Sequence, residues 1–272
     1  MKLGDKFLRR EPPLVIAHRG NKALYPENTL LALEDAVELG VDALEVDARL
    51  TRDGQLVIFH DETLERTTDG KGSISEKTLA ELQELDVGFR FTVDKGFTFP
   101  YRGKGLKIPT LQDGFEQFPE MLFNIDIKNP EPLAVDAIVT LIQEYQREEF
   151  VLIGSFHDDQ IRLFRSKMPN VITAACPSEV KRFLFAKRIH LTRLIHPQYN
   201  AFQVPLVVQQ QSKPARMIEI VTPSFIQQAH SKGVAVMVWT INDPKIMKKL
   251  IEWGVDGIFT DDPKTLLEIA CK

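Results

Sequence analysis

The sequence predicts an α/β protein that folds as a TIM (β/α)8 barrel, in a single domain over residues 1–272. Short runs of β-branched residues alternate with helical patterns along the chain, which is typical of βα units that build a parallel sheet. The length of 272 residues is close to the roughly 250 residues of such barrels. With 43% apolar and 26% charged residues, the composition is that of a globular protein with one large core.

Nine segments have the pattern of strands, one more than a closed eight-stranded barrel requires. In chain order these segments are LVIAH (14–18), ALEVDA (43–48), LVIFHD (56–61), LFNIDIK (122–128), FVLIGSF (150–156), VITAAC (171–176), AFQVP (201–205), VAVMVWT (234–240) and GIFTD (257–261).

The third segment is the surplus strand. Only about seven residues separate it from the second, whereas a parallel crossover needs roughly a dozen or more. We therefore expect an antiparallel hairpin after strand 2, with its turn at 51–54, where Asp53-Gly54 supplies the left-handed backbone. Pairing outward from this turn brings His60 opposite Val46 and Asp47.

The clearest helical patterns fit between the strands. One runs from Asn28 to Leu39 and ends at Gly40, and Asn28 is interpreted as part of its amino-terminal cap. The others span residues 131–145, 222–232 and 243–253. The long stretch after His60 predicts an inserted lobe at about 62–121 rather than a second domain.

Composition excludes several classes of protein. A formal net charge of −4 gives no reason to expect nucleic-acid binding. The charged amino terminus is not that of a secretory signal, and no apolar run approaches the ~18 residues that span a bilayer, so we expect a cytoplasmic location. Cys176 and Cys271 lie far apart without a zinc-binding spacing, and both are expected to be reduced.

Polar residues cluster at the carboxyl ends of the predicted strands, where TIM barrels carry their active sites. His18 and Arg19 end the first strand, and the hairpin returns His60 to the same mouth. Glu45 and Asp47 are two residues apart, so their side chains point to the same face of strand 2. The same spacing recurs at Asp126 and Lys128.

This cluster favours the cleavage of a phosphodiester. Carboxylates at 45, 47 and 126 suit one hard divalent cation, Mg²⁺ or Ca²⁺, because such ions prefer oxygen ligands. His18 and His60 supply the two proton transfers that the reaction needs near neutral pH. Arg19 and Lys128 add positive charge where the phosphoryl group gains negative charge, although Lys128 alone could also be a solvated lysine at a strand end.

Other residues at the mouth admit two interpretations. Glu27 either supports Arg19 or His18 from behind or is an exposed acid at a helix start. Phe156 and Trp239 either line a substrate pocket or cap the core. Asp61 is interpreted as the start of a turn.

The segment 181–202 carries five basic residues among apolar ones and no acid. It is interpreted as a surface helix that buries its apolar side, with weak contact to a membrane surface as the alternative.

An ordered set of motifs over residues 14 to about 268 resembles the glycerophosphodiester phosphodiesterase family, a group of TIM barrels similar to phosphatidylinositol phospholipase C. The motifs are His18-Arg19-Gly20, Pro26-Glu27-Asn28-Thr29, Glu45-Val46-Asp47, Thr51-Arg52-Asp53-Gly54, His60-Asp61, Arg66-Thr67-Thr68, Ile108-Pro109-Thr110-Leu111, Trp239-Thr240-Ile241-Asn242 and Gly254-Val255-Asp256-Gly257-Ile258.

The resemblance implies that His18 and His60 are the acid–base pair and that Glu45 and Asp47 are metal ligands. Its third ligand position is commonly Glu and is Asp126 here, so this shorter side chain either sits closer to the metal or binds it through water, and the choice between Mg²⁺ and Ca²⁺ stays open. The wording Asn-Ile-Asp-Ile-Lys at 124–128 is similar to the lysophospholipase D branch of the family.

The predicted function is therefore metal-dependent hydrolysis of glycerophosphodiesters to glycerol 3-phosphate and an alcohol. The first alternative is a lysophospholipase D that releases lysophosphatidate from lysophospholipids. The second is a non-catalytic barrel that binds phosphodiesters, although such a protein has no need of paired proton-transfer groups. The sequence indicates no particular oligomeric state.

Overall fold

The computed structural model describes residues 5–8, 11–210 and 216–271. Eight parallel strands form a barrel in the spatial order β6-β5-β4-β2-β1-β11-β10-β7, and a bridge between Ala174 and Ala201 joins its two ends. The predicted TIM barrel is confirmed. The strands are β1 Leu14–His18, β2 Ala43–Leu50, β3 Leu56–Ile58, β4 Leu122–Ile127, β5 Val151–Gly154, β6 Ile172–Thr173, β7 Ala201–Pro205, β8 Val207–Gln210, β9 Arg216–Glu219, β10 Ala235–Trp239 and β11 Gly257–Thr260.

The third strand is the predicted hairpin partner of the second. β3 pairs antiparallel with β2, with Leu50 opposite Leu56, and the Phe59 amide donates to the Asp47 carbonyl at 2.9 Å. Gly54 closes the turn at a φ of 79°, a backbone conformation that favours glycine. The chain therefore returns to the barrel mouth just before His60, as the hairpin argument required.

A second hairpin was not predicted from the sequence. β8 and β9 pair antiparallel directly after β7. They lie beyond the carboxyl end of a barrel strand, and therefore on the mouth side of the molecule.

The helices surround the barrel, and each predicted helix is present with bounds shifted by one or two residues. The helices are α1 Asp5–Leu8, α2 Leu30–Leu39, α3 Leu79–Gln83, α4 Leu111–Gln117, α5 Pro132–Glu144, α6 Asp158–Lys167, α7 Pro177–Arg188, α8 Pro223–His230, α9 Pro244–Glu252 and α10 Pro263–Ala270. None in the described part of the chain is long and apolar enough to cross a membrane.

The cap of α2 corrects one interpretation. Thr29, not Asn28, is the amino-terminal cap, because the Thr29 hydroxyl accepts from the Ala32 amide. Asn28 adopts a φ of 58° and turns its side chain into the barrel mouth instead. Thus the structure assigns Asn28 to the polar cluster and not to the helix.

Alternating side chains divide the protein into an inner and an outer core. Inside the barrel, Ile16, Ala43 and Phe259 form an apolar cluster that Phe7 of α1 joins. Residues between them along the strands, such as Val46, face outward into the larger core shared with the helices. Because the lower inward positions are apolar, the polar inward positions concentrate at the mouth.

The inserted lobe packs on β3 through its own hydrophobic cluster. Val57 and Phe59 of the hairpin meet Leu64, Leu82 and Ile108 of the lobe. The lobe leaves the barrel just after His60 and returns where the Ile58 amide donates to the Pro109 carbonyl at 2.8 Å. Both connections lie at the mouth, so the lobe stands beside the polar cluster.

Candidate active site

His18 is held at the end of β1 by a carboxylate that directly follows the last strand of the barrel. Its Nδ1 lies 2.7 Å from Asp261 Oδ1, and Asn242 Nδ2 donates to the other oxygen of Asp261 at 2.9 Å. Burial alone would raise the pKa of Asp261, but the hydrogen bond and charge of His18 and the charge of Lys22 lower it to about 2. Asp261 is therefore ionised near neutral pH, and the Nε2 of His18 is left for other partners.

His60 has a similar partner, its sequence neighbour. The Nδ1 of His60 lies 2.6 Å from Asp61 Oδ1, and Arg66 also donates to Asp61. The pKa of His60 is lowered overall, because the effect of burial outweighs the charge of Asp47 and the hydrogen bond to Asp61, which both raise it. Asp61 therefore orients the ring as well as starting the turn.

A tight turn places Arg19 over the acids. Arg19 has a φ of 61°, and its amide donates to Glu45 Oε2 at 3.0 Å. Gly20 follows at a φ of 81°, where a Cβ would lie 2.5 Å from the Ala32 backbone, so only glycine lets α2 pack this closely. The first strand thus delivers an imidazole and a guanidinium to the same place.

Glu27 holds the guanidinium of Arg19 from behind. Arg19 Nη1 donates to Glu27 Oε1 at 2.8 Å, and Arg66 donates to both oxygens of Glu27. The Glu27 side chain is 9% exposed, so it is not the exposed helix-start acid that the sequence also allowed.

The inward-facing acids share two basic side chains. Lys128 Nζ lies 2.8 Å from Asp47 Oδ1 and 2.5 Å from Asp126 Oδ2, while Arg19 Nε lies 2.9 Å from Asp47 Oδ2. Asn28 Nδ2 also donates to Asp47, at 2.8 Å. Parallel pairing aligns Asp47 with Asp126, and Glu45 with His18 on the other side.

The three acids differ in their tendency to ionise. Burial and the charge of Asp47 raise the pKa of Glu45 to about 7. For Asp47, burial is outweighed by the charges of Lys128 and Arg19, which lower its pKa to about 2. Burial raises the pKa of Asp126 despite the nearby Lys128. Glu45 and Asp126 therefore ionise less readily than an exposed carboxyl, while Asp47 ionises more readily.

The oxygen donors of this set are of the kind that a hard divalent cation prefers. The carboxylates of Glu45, Asp47 and Asp126 offer oxygen ligands, and the buried Asn28 Oδ1 has no hydrogen-bond partner among the described residues. Yet no group of three or more His, Cys, Asp or Glu side chains in the described residues is arranged to hold a metal ion. The ammonium group of Lys128 bridges Asp47 and Asp126.

Two aromatic side chains form the other wall of the mouth. The rings of Phe156 and Trp239 lie 5.9 Å apart at 75°, and Lys128 Nζ lies 5.8 Å from the Phe156 centroid. Phe156 is 62% exposed, so it does not cap the core. An apolar surface of this kind beside two cations suits the uncharged part of a phosphodiester.

A model of the glycerophosphoryl diester phosphodiesterase family matches residues 18–265. The chain belongs to this family. The glycerophosphodiester phosphodiesterase of Caldanaerobacter subterraneus subsp. tengcongensis is 34% identical to it over 95% of this chain and 98% of the relative. Human lysophospholipase D GDPD1 is 27% identical over 92% of this chain and 84% of the relative.

Solved structures of the family have the same fold. The glycerophosphoryl diester phosphodiesterase domain of a Mycobacterium tuberculosis protein matches with a TM-score of 0.83 at 24% identity, covering 95% of this chain and 99% of that one. A phosphodiesterase from Oleispira antarctica, in complex with the product sn-glycerol 3-phosphate, matches with a TM-score of 0.76 at 27% identity, covering 96% and 97%.

Within this glycerophosphoryl diester phosphodiesterase family member, the structure brings every predicted site residue to the barrel mouth. The sequence prediction missed Asp261 and Asn242 and gave Asp61 and Asn28 only structural roles. The sequence could have indicated that Asp261 lies near His18. Asp261 ends the last predicted strand, 257–261, and a closed barrel places that strand beside the first.

Proposed function

We propose that this chain is a metal-dependent glycerophosphodiester phosphodiesterase, with residues 1–272 acting as one catalytic domain. The observation that carries the proposal is the pair of histidines at the mouth, each bonded through Nδ1 to an aspartate. This arrangement leaves both Nε2 atoms for the substrate. The relatives named glycerophosphodiester phosphodiesterase and the product complex of the Oleispira enzyme support sn-glycerol 3-phosphate as the product.

The basic side chains bind the phosphate in this proposal. Arg19 and Lys128 approach the non-bridging oxygens and stabilise the negative charge that develops during attack. Their positions depend on Glu27 and on the acids beneath, which hold both cations at the mouth. Phe156 and Trp239 contact the uncharged parts of the diester.

The two histidines move the protons. One removes a proton from the attacking hydroxyl and the other donates a proton to the departing alkoxide. Attack by water gives sn-glycerol 3-phosphate directly. Attack by the substrate's own glycerol hydroxyl gives a cyclic phosphate first, which water then opens with the proton transfers reversed. Asp261 and Asp61 fix the rings and stabilise each imidazolium as it forms.

Glu45, Asp47 and Asp126 would hold one divalent cation, Mg²⁺ or Ca²⁺, with the Asn28 oxygen beside them. When bound, such an ion would neutralise charge on the phosphate and on the acids together. The short side chain at 126 would favour Ca²⁺, whose bonds are longer, or a bond through water.

The test is a coupled assay of glycerol 3-phosphate released from glycerophosphocholine. His18→Ala and His60→Ala should each lower kcat by about 10²–10⁴-fold, the usual contribution of a general acid or base. His190→Ala, an exposed histidine between α7 and β7, is the matched control and should be fully active. Wild-type activity in either mouth variant would refute the assignment.

A second candidate is lysophospholipase D activity, which the likeness to human lysophospholipase D GDPD1 and the exposed Phe156 favour. The products would be a lysophosphatidate and an alcohol. Turnover of lysophosphatidylcholine above that of glycerophosphocholine would select this function. We further propose a cytoplasmic location.

A further inference from the structure

One segment of the lobe differs from the rest of the chain in charge. Residues 90–107, named here the basic loop, contain five basic residues and one acid, a net charge of +4 in a chain of net charge −4. Arg90 and Arg102 donate to the carbonyls of Thr68 and Phe89 and not to carboxylates. All five basic residues are exposed: Arg90, Lys95, Arg102, Lys104 and Lys107.

The tip of the basic loop is a fixed turn that projects an aromatic ring. Asp94, the loop's acid, accepts hydrogen bonds from the Thr92 hydroxyl at 2.7 Å and from the Thr98 hydroxyl at 2.6 Å. Gly96, at a φ of 94°, completes the turn. The single carboxylate of the loop therefore shapes the turn. Phe97, beside Gly96, is 86% exposed, and its ring points to solvent.

The basic loop stands at the barrel mouth. Its Tyr101 ring lies 5.8 Å from that of Tyr25, which belongs to the connection after β1, and 5.4 Å from Phe91. Leu24 in that same connection is 55% exposed. The basic loop therefore packs through Tyr101 against the connection that follows β1.

Exposed apolar side chains are concentrated on this side of the molecule. Of the eleven large apolar side chains that are exposed in the described residues, eight lie in loops, hairpins or first helical turns on the carboxyl side of barrel strands. The eight are Leu24, Val93, Phe97, Leu133, Phe156, Val207, Met217 and Ile218.

We propose that the mouth face docks on an anionic lipid bilayer, with the basic loop as its main contact and Phe97 inserted between the headgroups. Single apolar side chains on separate loops do not form the continuous packed patch that a protein partner buries. A bilayer requires only protruding apolar groups and cations for its phosphates. The docking itself is independent of the proposed function; its consequence, access to lysophospholipids held in the bilayer, rests on that function.

The test measures co-sedimentation of the protein with two kinds of vesicle. One is phosphatidylcholine alone, and the other is phosphatidylcholine with about 30 mol% of the anionic lipid phosphatidylglycerol. Binding should require the anionic lipid and weaken as NaCl is added. Phe97→Ser should lower the partition constant about tenfold, and Lys95→Glu with Lys104→Glu by at least about tenfold.

Matched controls come from α7, within the 181–202 segment. Phe185 is 63% exposed and lies on the barrel wall, so Phe185→Ser, and Lys181→Glu with Arg182→Glu, should leave vesicle binding within about twofold. Hydrolysis of glycerophosphocholine, measured without vesicles, should be equal in all variants. That assay reports failure of the proposed function separately from failure of docking.

Two results would overturn the proposal. The first is that the wild-type protein does not sediment with anionic vesicles. In that case the basic loop binds a protein partner or no partner at all. The second is binding that the α7 variants abolish and the basic-loop variants do not, which would place the membrane contact at 181–202.

Discussion

Replacing Asp261 by Asn tests whether a carboxylate at the end of β11 positions His18. His18 Nδ1 and Asp261 Oδ1 are 2.7 Å apart. Because Asp261 is ionised, this hydrogen bond has a charged acceptor. Such hydrogen bonds contribute about 1.5–3 kcal/mol, which corresponds to roughly a 10- to 150-fold loss in rate if the bond strengthens with the imidazolium.

The effect should fall on kcat. Arg19 and Lys128, which bind the phosphate in our account, do not contact Asp261, so KM should stay within about twofold. The assay is steady-state release of glycerol 3-phosphate from glycerophosphocholine, with Tm measured for each variant.

Asp262→Asn is the matched control. Asp262 is the adjacent acid, but its side chain accepts from Thr265 at the start of α10 and does not contact His18. It should lose some stability and keep its kcat. A kcat in Asp261→Asn equal to that of wild type, or a loss explained by a lower Tm, would refute the positioning role.

Three further outcomes are expected. The pKa of Asp261 is lowered from 3.8 to about 2 in the folded protein. The ionised carboxylate therefore contributes roughly 2 kcal/mol to the free energy of unfolding above pH 4, and this contribution is lost as the pH falls towards 2. In urea unfolding, the wild type should be more stable than Asp261→Asn at pH 6, and the difference should shrink at pH 3. EDTA should abolish hydrolysis reversibly, with Mg²⁺ or Ca²⁺ restoring it, and full activity in chelator would contradict the metal assignment. Lys128→Met should lower kcat/KM by at least about tenfold, because it removes a phosphate-binding cation and one counter-charge of Asp47 and Asp126. Unchanged kinetics would mean that Lys128 is only a solvated lysine at a strand end.

The positions of the main site residues could be predicted because they depend on local rules. Alternation along a strand places Glu45 and Asp47 on one face. The short connection before β3 forces a hairpin and so returns His60 to the mouth. These inferences need only the chain within a few residues of each side chain.

The partners of these residues could not be predicted by the same rules. The bond between His18 and Asp261 joins positions 243 apart in sequence and exists only because the barrel closes. Asn28 precedes a helix, as a capping residue would, yet its positive φ turns the amide towards Asp47. The bridging of Asp47 and Asp126 by Lys128 likewise depends on the register between β2 and β4.

Hydrolysis of the diester can be followed at the phosphorus atom itself. Purified wild-type protein is incubated with glycerophosphocholine and Mg²⁺ or Ca²⁺, and ³¹P NMR is recorded over time beside the His18→Ala and His60→Ala variants. We expect the diester resonance to be replaced by that of sn-glycerol 3-phosphate with the wild type alone. A diester resonance that persists with the wild type, or one that disappears equally with both variants, would contradict it.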